Sequence, residues 1–127
     1  MNPFLKRLSD YRVIALIGAG GKTSICRALT HCLPGSCLYT TTTHMIAPLG
    51  ELPCLNEPSL KELEKAPYRY KKAALCGPEV CPGSGKVSYP GDAAYALACR
   101  VFDHVIVEAD GARGRQLKIH GSHVHSP

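Results

Sequence analysis

The chain has 127 residues, 45% hydrophobic and 20% charged, which suits one ordinary globular domain with enough apolar side chain to bury a core. No apolar run reaches the roughly 18 residues that a membrane span needs, and the opening MNPFLKRLSDY lacks the pattern of a secretory leader, so a cytoplasmic protein with no membrane partner is expected. The net charge of +5 comes from scattered residues, and even the densest stretch, KAPYRYKK, reads as a solvated connection, so no nucleic-acid partner is expected.

RVIALIG, residues 12–18, is a continuous aliphatic run bounded by glycine, as in a strand buried on both faces of a parallel sheet. After the glycines, Ile25, Ala28, Leu29, Cys32 and Leu33 recur at helical spacing until Pro34-Gly35. CLYTT is a second strand, followed by an irregular stretch with Pro48, Pro53 and Pro58. Ser59 and Glu62 form a capping box for a short helix that Pro67 is expected to end. KAALCG is a third strand, and CPGSGKVSYPG is loop by composition. Asp92 is expected to cap a helix with the stripe Ala94, Leu97, Ala98, Val101 and Phe102. HVIVEAD is a last buried strand, and GARGRQLKIHGSHVHSP shows no periodicity, so its histidines read as an exposed end. Strands alternating with helices predict an α/β fold, a P-loop-type, mostly parallel sheet with helices on both faces, spanning residues 1–127 as one nucleotide-binding domain.

Strand, glycine turn and helix meet at Gly18, Ala19, Gly20, Gly21, Lys22, Thr23 and Ser24. Glycines let backbone N–H groups turn around a phosphate, and the helix start adds partial positive charge. Lys22 is suited to the β and γ phosphates and the Thr23 hydroxyl to Mg²⁺. A dinucleotide fingerprint would need glycine where Thr23 stands, and the common Walker loop would need glycine at Leu16. The shorter loop here is similar to the Gly-Thr-x-Gly-Lys-Thr loop of the ATP-binding Mur ligases.

Glu108 and Asp110 lie two apart at the end of a strand, so both would project from one side, one toward Mg²⁺ and the other orienting a nucleophile. Thr41, Thr42, Thr43 and His44 fall where a parallel strand delivers its C-terminal end, a place for phosphate or a second substrate. Arg113 and Arg115 follow in a glycine-flexed segment, Arg113 being the candidate to stabilise the γ-phosphate. The catalytic candidates are therefore Glu108, Asp110 and Arg113, and the Mg²⁺ ligands Thr23, Glu108 and Asp110. The seven cysteines form no CxxC pair and are expected to be structural thiols, Cys76 and Cys81 included. No base-reading motif such as Asn-Lys-x-Asp is present, so the expected cofactor is Mg²⁺ with ATP or GTP.

GAGGKTS, TTTTHM and VIVEADGARGRQLK, in this order, resemble the YqeC family, whose members are described as selenium-dependent hydroxylase accessory or selenium cofactor biosynthesis proteins. The resemblance implies an Mg-nucleotide-binding accessory protein for maturing selenium-dependent molybdenum hydroxylases, with such a hydroxylase or its cofactor machinery as partner. It places Gly18, Gly20, Gly21, Lys22 and Thr23 in the nucleotide loop and Thr40 to His44 in the threonine signature. Glu108, Asp110, Gly111, Arg113, Gly114 and Lys118 fall in the acidic-strand motif, Lys118 joining the phosphate or second-substrate set. The chain departs from the family's His-Glu-Pro element after His123, where Val124 and His125 stand, and is expected to be the N-terminal part of a longer family domain. Two other readings stand beside this one: a Mur-like ATP-dependent ligase or small-molecule kinase, and a non-catalytic scaffold that delivers a cofactor.

Overall fold

The aliphatic run after Asp10 becomes β1 (Tyr11–Ile17), in which buried Ile14 and Leu16 alternate with half-buried Val13 and Ala15. This is seen in a computed structural model that describes residues 2–18 and 20–109, and the backbone of residues 118–123. The other elements, in chain order, are α1 (Pro3–Leu8), α2 (Lys22–Cys32), β2 (Cys37–Thr41), β3 (His44–Ile46), β4 (Cys54–Asn56) and α3 (Leu60–Arg69). They are followed by β5 (Lys72–Cys76), β6 (Lys86–Ser88), α4 (Asp92–Val101), β7 (His104–Glu108) and β8 (Lys118–His123).

The main sheet runs β4-β5-β2-β7-β1-β8, parallel through β1, with β8 antiparallel at the edge. Its two faces bury separate cores because successive strand residues point to opposite sides. Ile14, Leu16, Tyr39 and Ile106 meet Leu8 of α1 and Cys26 and Leu29 of α2. Leu38, Leu75, Val105 and Val107 meet Leu63 of α3 and Leu97 and Ala98 of α4. The chain is thus a mostly parallel α/β fold with helices on both faces. β1 and β2 are consecutive parallel strands, but β7 lies between them. Its register sets Glu108 level with Leu16 on one side and Thr41 on the other. The acidic strand end therefore sits at the centre of the sheet's carboxyl edge, between the glycine turn and the threonines.

Several local expectations are corrected. Residues 3–8, for which the sequence pattern carried no forecast, form a helix started by Asn2, whose side chain accepts from the Leu5 N–H, and by Pro3, which is pre-set for the first turn. Pro67 does not end α3, which continues to Arg69; in the last turn a missing N–H removes one hydrogen bond and little else. Asp92 is the first residue of α4 rather than its cap, which is Gly91, and its carboxylate accepts from the Tyr89 hydroxyl at 2.7 Å. The stretch after Pro48 contributes β4 as an edge strand, and the glycine-rich loop contributes β6, which pairs with β3 as a two-stranded flap. Part of the unpatterned end is strand: residues 118–123 pair with β1 through backbone.

The flap is fastened where β5 ends. The Gly77 N–H donates to Ser88 O at 3.0 Å, and the Tyr89 N–H to Thr43 O at 3.0 Å. A Cβ on Gly77 would stand 2.3 Å from Tyr89 O and 2.6 Å from Ser88 O, both main-chain atoms. Gly77→Ala is expected to push the flap off the sheet and lower stability by about 1–3 kcal/mol, seen as a lower urea midpoint with an unchanged slope.

Candidate functional site

Gly20 and Gly21 adopt φ of 74° and 72°, and Gly18 φ of 130°, values that side chains resist. An added Cβ at Gly20 or Gly21 would meet nothing within 4 Å, so these glycines serve backbone conformation rather than space. Gly21 is also the N-cap of α2 and offers no side-chain cap, which leaves the amides of the first turn directed out of the helix. Lys22 turns back across the sheet edge and donates from Nζ to Ala109 O at 2.8 Å. Ser24 is exposed on the first turn, and Ala19 lies outside the described residues.

Glu108 is 9% exposed and is the meeting point of three elements. Its Oε1 accepts from the Thr23 hydroxyl of α2 at 3.0 Å and from the Tyr39 hydroxyl of β2 at 2.7 Å. Its carbonyl oxygen accepts from the Thr41 hydroxyl at 2.8 Å. The sequence reading placed Thr23 and Glu108 in one site, and the structure brings them into contact. It missed Tyr39, whose signal was available: Tyr39 and Thr41 are two apart in β2 and share the face that carries Glu108. Cys26, one turn into α2, is buried beside the same carboxylate.

The threonines divide by role. Thr40 donates to Leu75 O at 2.9 Å inside the sheet, and Thr41 both grips Glu108 O and accepts from the Thr43 N–H at 3.0 Å. Thr41 is fully buried, so its hydroxyl ties strands together rather than facing a ligand. Thr42 and His44 are exposed and Thr43 half-buried at the turn into the flap. The backbone of Lys118 pairs with Ile17, the residue before the glycine turn. Asp110, Gly111, Arg113, Gly114 and Arg115 lie outside the described residues. A cleft of about 460 Å³ between α3 and α4 lies on the opposite face of the sheet and shares no residue with this cluster.

The YqeC protein family model matches residues 14–124, a span that runs from β1 past Glu108. The chain belongs to the YqeC family. It is 35% identical over 122 residues to the uncharacterized protein YqeC of Escherichia coli (strain K12), an alignment covering 87% of this chain and 45% of that protein. The chain thus spans less than half the length of this relative. No solved structure matches. Among the described residues there is no helix long and apolar enough to cross a membrane.

Burial shapes the titration of the groups around Glu108. The Cys26 thiol is pushed up to about 12, first by burial and then by the Glu108 carboxylate, with Lys22 pulling the other way. Tyr39 is pushed up well beyond the ordinary tyrosine range by burial and by its bond to Glu108. Both groups stay protonated at neutral pH. A folded thiol that holds its proton above the ordinary 9.0 stabilises the fold below that pH, and the contribution is lost as pH rises from 9.0 to about 12. Unfolding midpoints should fall across this window, and Cys26→Ala should make the fall shallower. At pH 8 a thiol reagent should modify exposed Cys32 and Cys81 at once, and buried Cys26, Cys37 and Cys76 only on unfolding.

Proposed function

We propose that this chain is a P-loop-type, Mg²⁺-dependent nucleotide-binding protein, with ATP or GTP as ligand. The observation that carries the reading is the 3.0 Å contact between the Thr23 hydroxyl, at the start of the glycine-turn helix, and the Glu108 carboxylate, at the end of the acidic strand. A surface turn with an idle threonine has no reason to reach a buried carboxylate on a strand far along the chain. Mg²⁺ is a hard cation that takes oxygen donors, and Thr23 and Glu108 supply two of them side by side, so the donor set fits. When bound, the cation neutralises charge on the β and γ phosphates. The loop amides of Gly20 and Gly21 and the first turn of α2 bind phosphate oxygens, and Lys22 exchanges Ala109 O for them. Asp110 and Arg113 join the site on the strength of the family resemblance, as the second acid and as the cation for the γ-phosphate.

The biological role that this reading fits is nucleotide-dependent assistance in the maturation of selenium-dependent molybdenum hydroxylases, supported by the motifs shared with the YqeC family. A second reading has one observation in its favour. Thr42 and His44 are exposed at the same sheet edge, with Thr43 half-buried between them, where an acceptor would lie in a ligase or small-molecule kinase. Acceptor-dependent phosphate release supports that enzyme, steady release without acceptor a hydrolase, and binding without turnover a delivery scaffold.

Lys22→Ala tests the common core of these readings. Loss of a charge-assisted phosphate contact costs about 1.5–3 kcal/mol, so Mg-nucleotide affinity by calorimetry should fall tenfold to more than a hundredfold while the circular dichroism spectrum is unchanged. Equal affinity in the variant and the parent would remove the glycine turn from the site.

A further inference from the structure

We propose that Tyr39 is a positioning residue that sets the divalent-ion affinity and selectivity of this site, by locking one oxygen of Glu108 so that only the other is free to serve a cation. This rests on the Mg-nucleotide reading above and adds to it a residue that touches neither phosphate nor metal.

Two donors converge on the same atom. Oε1 of Glu108 accepts a hydrogen bond from the Tyr39 hydroxyl at 2.7 Å and another from the Thr23 hydroxyl at 3.0 Å, whereas Oε2 receives no hydrogen bond from the described residues. Tyr39 is 0% exposed, so its hydroxyl has no water to turn to and its one proton is committed to Glu108. The Thr23 hydroxyl also spends its proton on Oε1, which leaves its lone pairs for a cation. β2 holds the acid twice, since Thr41 grips the Glu108 carbonyl at 2.8 Å while Tyr39 grips the side chain. The parallel register makes this reach possible: Thr41 lies opposite Glu108 and Tyr39 opposite Ile106, on the same face of the sheet.

The chemical consequence is selectivity. A carboxylate with one oxygen doubly occupied acts through a single oxygen. That suits Mg²⁺, which is small, strictly octahedral and content with few protein ligands, and it penalises Ca²⁺, which favours bidentate carboxylates in a looser shell. Without the Tyr39 hydroxyl the carboxylate rotates more freely and the discrimination narrows.

The test is isothermal titration of ATP, and separately GTP, into the wild-type chain and Tyr39→Phe across Mg²⁺ and Ca²⁺ concentrations. Removing a partner that orients a metal ligand typically costs 10–100-fold in metal affinity. The Mg²⁺ concentration that half-restores nucleotide affinity should therefore rise about tenfold or more. The preference for Mg²⁺ over Ca²⁺ should shrink, with nucleotide affinity in chelator unchanged. A cooperative thermal melt of Tyr39→Phe checks its fold. A cycle with Glu108→Gln separates positioning from general packing, because Tyr39→Phe should have no further effect on Mg²⁺ dependence once the carboxylate is gone. Equal Mg²⁺ and Ca²⁺ dependence in wild type and Tyr39→Phe, or an undiminished effect in the Glu108→Gln background, overturns the role of Tyr39 alone. A wild-type chain that binds neither nucleotide with Mg²⁺ overturns the underlying reading and this inference with it.

Discussion

A carboxylate that ends a fully buried strand must find donors, because an unpaired charge in an apolar surround costs far more than one hydrogen bond returns. Glu108 meets that demand by drawing a threonine from α2 and a tyrosine from β2 onto one oxygen. The aliphatics before it, Val105, Ile106 and Val107, are buried, and each contributes roughly 1.5–3 kcal/mol of apolar burial. That burial fixes the strand in place, so the donors come to the acid rather than the acid turning to solvent. The glycine turn, the threonine strand and the acidic strand are thereby held as one unit.

The two edges of the sheet carry polar groups for different reasons. At the amino edge the groups are paired within the fold. Arg12 donates to Phe102 O at 2.7 Å and to Arg100 O at 3.1 Å, covering the carbonyls that end α4. Ser36 and Asp103 exchange hydrogen bonds of 2.9 Å, and a ring nitrogen of His104 lies 2.7 Å from Tyr11 O. These residues look as reactive in the sequence as any in the site, but each has partners that explain it. At the carboxyl edge, loop amides, Lys22, Thr23 and the turn at Thr42 and Thr43 gather around Glu108. That asymmetry follows from parallel strands, whose carboxyl ends all deliver their loops to one side.

Long apolar runs made β1, β2, β5 and β7 legible, and helical spacing did the same for α2 and α4, because these elements bury enough surface of their own to declare a period. The three-residue strands β3, β4 and β6 have no such period; each is defined by its partner across the sheet. β8 is held to β1 through backbone pairing, which any sequence without proline can supply. Thr41 shows the same limit at the level of the site. Its residue type suited a ligand, but register turned its hydroxyl toward the Glu108 carbonyl.

By itself, the sequence determined that a glycine turn with Lys22 and Thr23 follows a buried strand, and that Glu108 ends another. Those are statements about neighbours in the chain, where glycine conformations and apolar periods act. That Thr23, Tyr39 and Glu108 share one oxygen was decided only by the tertiary structure. The cause is the insertion of β7 between β1 and β2, which sets residues 85 and 69 positions apart within hydrogen-bond reach. Strand order in a sheet depends on how both helical layers are covered at once, and no local run of residues encodes it.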